Sequence, residues 1–94
     1  MIRNITLLKA KSGHDRARME EILAELRAMR IPGLTRIWVG SDLGLREGNW
    51  DYGIVSDLED EDAYRRYDTD AEHNRIRAEL PPLVEQVARC QIEV

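Results

Sequence analysis

Two histidines are the only side chains in this chain suited, without help, to moving protons near neutral pH, where imidazole titrates at about 6.5. His73 is the stronger candidate. Facing a sheet, it could abstract an acidic C–H proton or polarise a carbonyl; its alternative role is to pin the start of a helical stretch through a backbone hydrogen bond. Tyr67 precedes it across an expected break, so helical spacing does not bring the two together. A buried tyrosine ordinarily packs its ring and satisfies its hydroxyl locally. Asn4 stands in an otherwise apolar strand. A buried amide without partners costs about 1–3 kcal/mol, so Asn4 must meet a neighbour, water or a ligand. Period-two alternation places it on one face with Thr6 and Leu8. A polar spot at Asn4 and Thr6, rimmed by Leu8, Ile22, Leu26 and Ile54, suits a small amphipathic ligand. His14, after Ser12-Gly13, reads as a solvated surface histidine.

Other chemistries find no foothold. The acidic run Glu59-Asp60-Glu61-Asp62 offsets a helix dipole, which explains it better than a metal does. There is no Cys-x-x-Cys, no His-Glu-x-x-His and no Cys/His cluster, so no metal is expected. No nucleophile arrangement, phosphate-cradling glycine loop or cofactor fingerprint is present, and the expected chemistry needs no cofactor. The net charge of -4 argues against a nucleic-acid partner, which needs clustered Lys and Arg. The first residues lack the pattern of a signal peptide, and no stretch is long enough to span a bilayer. A cytoplasmic protein without a membrane partner is expected, and the lone Cys90 fits a reducing compartment and a packing role.

These residues must be positioned by the elements that carry them. Residues 2–9 read as a strand rich in β-formers. Ser12, three residues before Asp15, starts a helix in which Met19, Ile22, Leu23, Leu26 and Met29 recur at three- and four-residue spacing, until Pro32-Gly33 ends it. Residues 34–39 and 50–58 read as strands joined by a polar, Gly-rich connection. The acidic run opens a helix that lasts to about Asp68. A further helical stretch begins near Ala71 and continues past Pro81-Pro82, with a kink or break there. Residues 87–94 close the chain as a strand. Trp38, Trp50 and Tyr52 are placed on the two central strands, as core or dimer interface.

The order β-α-β-β-α-β is that of a ferredoxin-like α+β domain, one domain over residues 1–94. Its helices cover one face of a four-stranded sheet. Ile5 and Leu7 on one side of the first strand, with Ile2 and Leu8 on the other, mean that both faces want burial. A second copy packed sheet to sheet would supply it, so a homodimer is expected.

Met1-Ile2-Arg3 leading into Leu7-Leu8-Lys9, Pro32-Gly33 after the first helix, and Val55-Ser56-Asp57-Leu58-Glu59-Asp60-Glu61 resemble the stress-responsive dimeric α/β-barrel family. So does Tyr67-Asp68-Thr69-Asp70-Ala71-Glu72-His73, which is similar to that family's Tyr-x-x-His-Pro-x-His segment. The resemblance covers essentially the whole chain and implies a dimeric α/β barrel with a pocket between sheet and helices in each protomer. The plant olivetolic acid cyclase branch of the family closes a linear polyketide by aldol condensation. By that likeness Tyr67 and His73 are the catalytic residues, and Tyr52 points into the pocket. The branch's histidine on the first strand falls on Asn4, which cannot exchange a proton near neutral pH. Its first segment histidine and proline fall on Asp70 and Ala71.

Two functions follow as expectations. One is a cofactor-independent cyclase or lyase acting on a polyketide-like or activated carbonyl compound, with His73 as acid/base, Tyr67 on the carbonyl oxygen and Asn4 orienting the substrate. The other is a non-catalytic homodimer, stress-related or binding a small-molecule ligand.

Overall fold

Alternation governs the first strand: Asn4, Thr6 and Leu8 are buried on one side while Leu7, on the other, is 45% exposed. The computed structural model describes residues 1–94 in the order β1 (Ile2–Ala10), α1 (Arg16–Ala28), β2 (Leu34–Ser41), β3 (Tyr52–Leu58), α2 (Glu61–Thr69), α3 (Ala71–Arg77) and β4 (Val84–Glu93). The strands pair antiparallel in the order β2-β3-β1-β4, the ferredoxin-like α+β arrangement. Met19, Ile22, Leu23 and Leu26 of α1, Ala63 and Tyr67 of α2 and Ile76 of α3 close over Leu8, Tyr52, Ile54 and Leu58 of the sheet. No helix is long and apolar enough to cross a membrane.

Aspartates start all three helices. Asp15 accepts from the Arg18 amide, Asp60 from the Ala63 amide and Asp70 from the His73 amide, each satisfying a donor that the first turn leaves free. Asp15, not Ser12, therefore begins α1, and that helix stops at Ala28, ahead of Pro32-Gly33. Gly33 has φ of 88°, and a Cβ there would lie 2.5 Å from the Ala63 Cβ. Only glycine lets the turn before β2 pass this close to α2. The acidic run does open a helix, with Glu61 and Asp62 in its first turn.

Three readings of the chain are corrected. The helical stretch from Ala71 ends at Arg77 and does not pass Pro81-Pro82; turns carry the chain from Ala78 to Leu83, and β4 begins at Val84. Proline supplies no N–H and pushes the residue before it out of the α region, so the helix closes ahead of the pair. Trp50 precedes β3, and Trp38 sits on the edge strand β2, so neither belongs to a central strand. Cys90 is exposed, not packed, because it falls on the sheet face that no helix covers.

That open face carries a row of Trp38, Val55, Ile5 and Cys90 across the strands. Beside it Arg3 donates from Nε and Nη2 to the two Asp57 carboxylate oxygens at 2.8 and 2.9 Å. The guanidinium groups of Arg3 and Arg36 stand 5.5 and 4.9 Å from the Trp38 ring centre. At the start of β4 the register slips: Lys9 faces Gln86 but Ala10 faces Val84, leaving Glu85 as an extra residue.

Candidate functional site

The helices do not cover β4. Between that strand and the α2–α3 pair lies a cavity of about 360 Å³. Its sheet wall is Asn4, Thr6, Leu8 and Ile54, with Val84, Val87 and Arg89 along β4; its helix wall is Leu26, Tyr64, Tyr67, His73 and Arg77.

The Asp70 break shapes the centre of the site. Tyr67 lies in the last turn of α2 and His73 in the first turn of α3, and the bend folds one ring over the other, with centroids 4.0 Å apart and planes at 33°. His73 Nδ1 is 2.7 Å from the Tyr67 carbonyl oxygen. A carbonyl only accepts, so Nδ1 carries the ring proton, and Nε2 is left as a lone-pair acceptor. Burial pushes the His73 pKa below the ordinary histidine value, partly offset by the bond to the Tyr67 carbonyl. Arg77 adds to the depression, while Asp68 and Asp70 oppose it. His73 is therefore a neutral base at physiological pH.

Burial likewise raises the Tyr67 phenol, keeping it protonated as a donor. The Ser56 hydroxyl pulls the other way, as do Arg77 and Arg89, although Ser56 Oγ is wholly buried and makes no hydrogen bond of good geometry. Gln91 Nε2 donates to Asn4 Oδ1 at 2.8 Å, which holds the amide with its NH₂ free to donate. Each guanidinium nitrogen of Arg77 makes one hydrogen bond: Nη1 to Asp68 Oδ1 at 3.1 Å, Nη2 to the Asp68 carbonyl at 2.6 Å and Nε to Asn74 Oδ1 at 2.7 Å. A neutral base, a phenol donor and an amide donor on one cavity can take a proton from carbon and hydrogen-bond the oxygen on which negative charge collects. No three His, Cys, Asp or Glu side chains gather as metal ligands.

Of the residues singled out from sequence, Asn4, Thr6, Leu8, Leu26, Ile54, Tyr67 and His73 share this cavity. Ile22 does not; it is fully buried in the middle of the α1 core stripe, and Leu26, one turn on, takes the place at the cavity. Tyr52 does not reach it either. It faces Leu8 at the end of β1 where the chain turns toward α1, and borders a separate, more open depression with Leu7, Gly40 and Trp50. There its hydroxyl lies 2.7 Å from His14 Nε2, with the rings edge to face. His14 Nδ1 is 3.1 Å from the Lys11 carbonyl, so Nε2 is the acceptor and the phenol the donor. His14 is thus half-buried and bonded rather than a free surface group.

Sequence reasoning missed Arg77, Val84, Val87 and Arg89. For the last two the signal was present: Val87, Arg89 and Gln91 alternate along the final strand, and the split-βαβ order sets that strand beside β1. Reading Ala78 to Pro82 as helix hid the contribution of Leu80 and Pro81.

Comparison with known proteins adds a family and a fold. The model of the stress responsive A/B barrel domain (Dabb) matches residues 2–94. Among curated proteins nothing matches. Among solved structures, a protein of unknown function from Thermobifida fusca, described as dimeric and ferredoxin-like, is 29% identical with a TM-score of 0.89, over 99% of this chain and 90% of that one. A second dimeric ferredoxin-like protein of unknown function, from Jannaschia, is 20% identical at TM-score 0.86, over 99% and 98%. The hydroxynitrile lyase of Passiflora edulis is 16% identical at TM-score 0.85, over 99% and 92%, a likeness of fold alone.

Proposed function

We propose that this chain, which belongs to the stress responsive A/B barrel domain family, acts as a homodimeric, cofactor-independent acid–base catalyst. Its substrate would be an activated carbonyl or polyketide-like compound held in the cavity. The observation that carries this reading is the fixed tautomer of His73: the Tyr67 carbonyl accepts a hydrogen bond from Nδ1–H, leaving Nε2 with a free lone pair on a ring that lines the cavity together with Tyr67. His73 would draw a proton from the carbon next to the carbonyl, Tyr67 would donate to the enolate oxygen, and Asn4 would orient the substrate through its free NH₂. A use of this fold by a lyase has a precedent in the hydroxynitrile lyase of Passiflora edulis.

The homodimer is supported by the open sheet face, where Leu7 and Trp38 remain 45% and 39% exposed in one chain. It is also supported by the dimeric state stated for the Thermobifida and Jannaschia proteins. Sedimentation should give twice the mass of one chain.

The catalytic reading is tested by following deuterium wash-in at the methylene of a β-keto thioester by NMR. Wild type should exceed buffer, and His73→Gln should return the rate to that of buffer. Equal rates for wild type and His73→Gln would remove the catalytic role. The remaining reading is then a homodimer, stress-related or ligand-binding, and one observation favours it: Asn4, held by Gln91, offers hydrogen bonds but no exchangeable proton at the first-strand position.

A further inference from the structure

The cavity is polarised along β4. Val87, Arg89 and Gln91 alternate onto its side of the sheet, opposite Leu8, Thr6 and Asn4. At the Leu8 end the walls are the apolar Leu26, Val84 and Val87, with the exposed Glu85 and Gln86 of the bulge beside them. At the Asn4 end the lining residues are Asn4, Thr6, Tyr67 and Arg89, which carry an amide NH₂, two hydroxyls and a guanidinium. Acceptors at that end are few. Asp68 is engaged by Arg77, the Asn4 carbonyl oxygen is taken by Gln91, and Glu85 lies at the bulge before Val87, toward the opposite end. Arg89 joins none of the chain's ion pairs, so its charge is the one cationic charge in the lining without a counter-ion.

We propose that Arg89 is the anion-recognising residue of this cavity, and that the ligand is a carboxylic acid whose apolar body lies against Leu8, Leu26, Val84 and Val87. This rests on the cavity being a ligand site, as read above. A guanidinium presents a planar fork that meets the two oxygens of a carboxylate, and neighbouring neutral donors add hydrogen bonds to the same oxygens. His73, held neutral, contributes no second positive charge and leaves Arg89 as the electrostatic anchor. For a keto acid, that anchor would set which carbon faces His73 Nε2. The competing explanation is that Arg89 is a charge placed on an edge strand to discourage unwanted pairing. It predicts changes in association, and no change in ligand preference.

Octanoate and octanamide, equal in size and different in charge, separate the two. Binding is followed on the His73 ring by NMR and by calorimetry at low salt, on the intact wild-type protein and on Arg89→Gln and Arg89→Lys. Arg89 is exposed, so these variants should fold, and an unchanged melting temperature checks this. Octanoate should bind wild type about tenfold or more tighter than octanamide, Arg89→Gln should bring the ratio to about one with octanamide unaltered, and Arg89→Lys should fall between. Equal binding of the two by wild type, or a preference that survives in Arg89→Gln, overturns the proposal and leaves the cavity as a ligand site. Failure of both compounds to move His73 overturns the proposal and the reading of the cavity as a ligand site.

Discussion

His73 lies over Tyr67 with centroids 4.0 Å apart and donates a hydrogen bond from Nδ1 to a backbone carbonyl, whereas His14 meets Tyr52 edge to face at 5.6 Å and accepts a hydrogen bond from the phenol on Nε2. Both Nδ1 atoms point at a main-chain oxygen, so both rings are in the same tautomer. The difference is what becomes of Nε2. In the His14 pair the acceptor is consumed by the phenol, and the result is a clasp between the β1–α1 turn and β3. In the His73 pair no hydrogen bond joins Nε2 to the phenol, and both residues line the cavity. Identical residue types make a structural bond in one place and, under the proposed function, a reactive constellation in the other, and the deciding variable is the position of one hydroxyl.

The largest effect that separates the pairs should be on rate. His73→Gln should lower deuterium wash-in by about 10²–10⁴-fold, and His14→Gln by less than about twofold. Similar losses in both would mean that the clasp, not the free base, controls the reaction. Next is Tyr67→Phe, expected to reduce the rate by about 10² with the dimer intact, as for loss of an oxyanion donor. Tyr52→Phe should do the reverse, costing about 0.5–1.5 kcal/mol in urea unfolding through the lost bond to His14 while sparing the rate. A rate loss in Tyr52→Phe would join the two sites functionally.

The smallest effect is on pH dependence. His73 has a depressed pKa in the folded protein, so below about 6.5 the unfolded chain binds the proton first. Stability from this group is therefore present above about pH 6.5, declines as pH falls through that value, and levels off below the folded pKa. Urea midpoints measured from neutral to mildly acid pH should fall more steeply for wild type than for His73→Gln. Parallel curves would mean that the ring is not held neutral by burial.

How much of this was legible in the sequence differs between the two pairs. The first two strands, the helix opened by the acidic run Glu59-Asp60-Glu61-Asp62 and the apolar stripe of α1 follow from local periodicity and capping, and they stand, while the third and fourth strands hold with shifted starts. Asn4, Thr6 and Leu8 on one face follow from alternation alone. The stacking of His73 on Tyr67 depends on the bend at Asp70, a tertiary outcome that spacing could not supply. The His14–Tyr52 bond joins residues 38 apart and has no local signature at all. Helix periodicity was likewise a poor guide after Arg77, where the proline pair overrode it and the chain turned into β4 early. Arg89 could have been found, because strand parity and the split-βαβ order together put it opposite Thr6.

The extra residue at Glu85 acts as a phase offset in the last strand. Because of it, Val84 and Val87 both lie on the cavity side although they are three residues apart, and every later residue keeps the parity set there. Removing Glu85 or Gln86 would only absorb the bulge and leave Val87 opposite Leu8, whereas removing Ala88 with Val87 held there would turn the rest of the strand half a cycle. Cys90 and Ile92 would then line the cavity, and Arg89 would be carried to the opposite face beside Leu7. The ten residues of β4 thus encode two surfaces interleaved one residue apart, and a single-residue deletion is enough to exchange them.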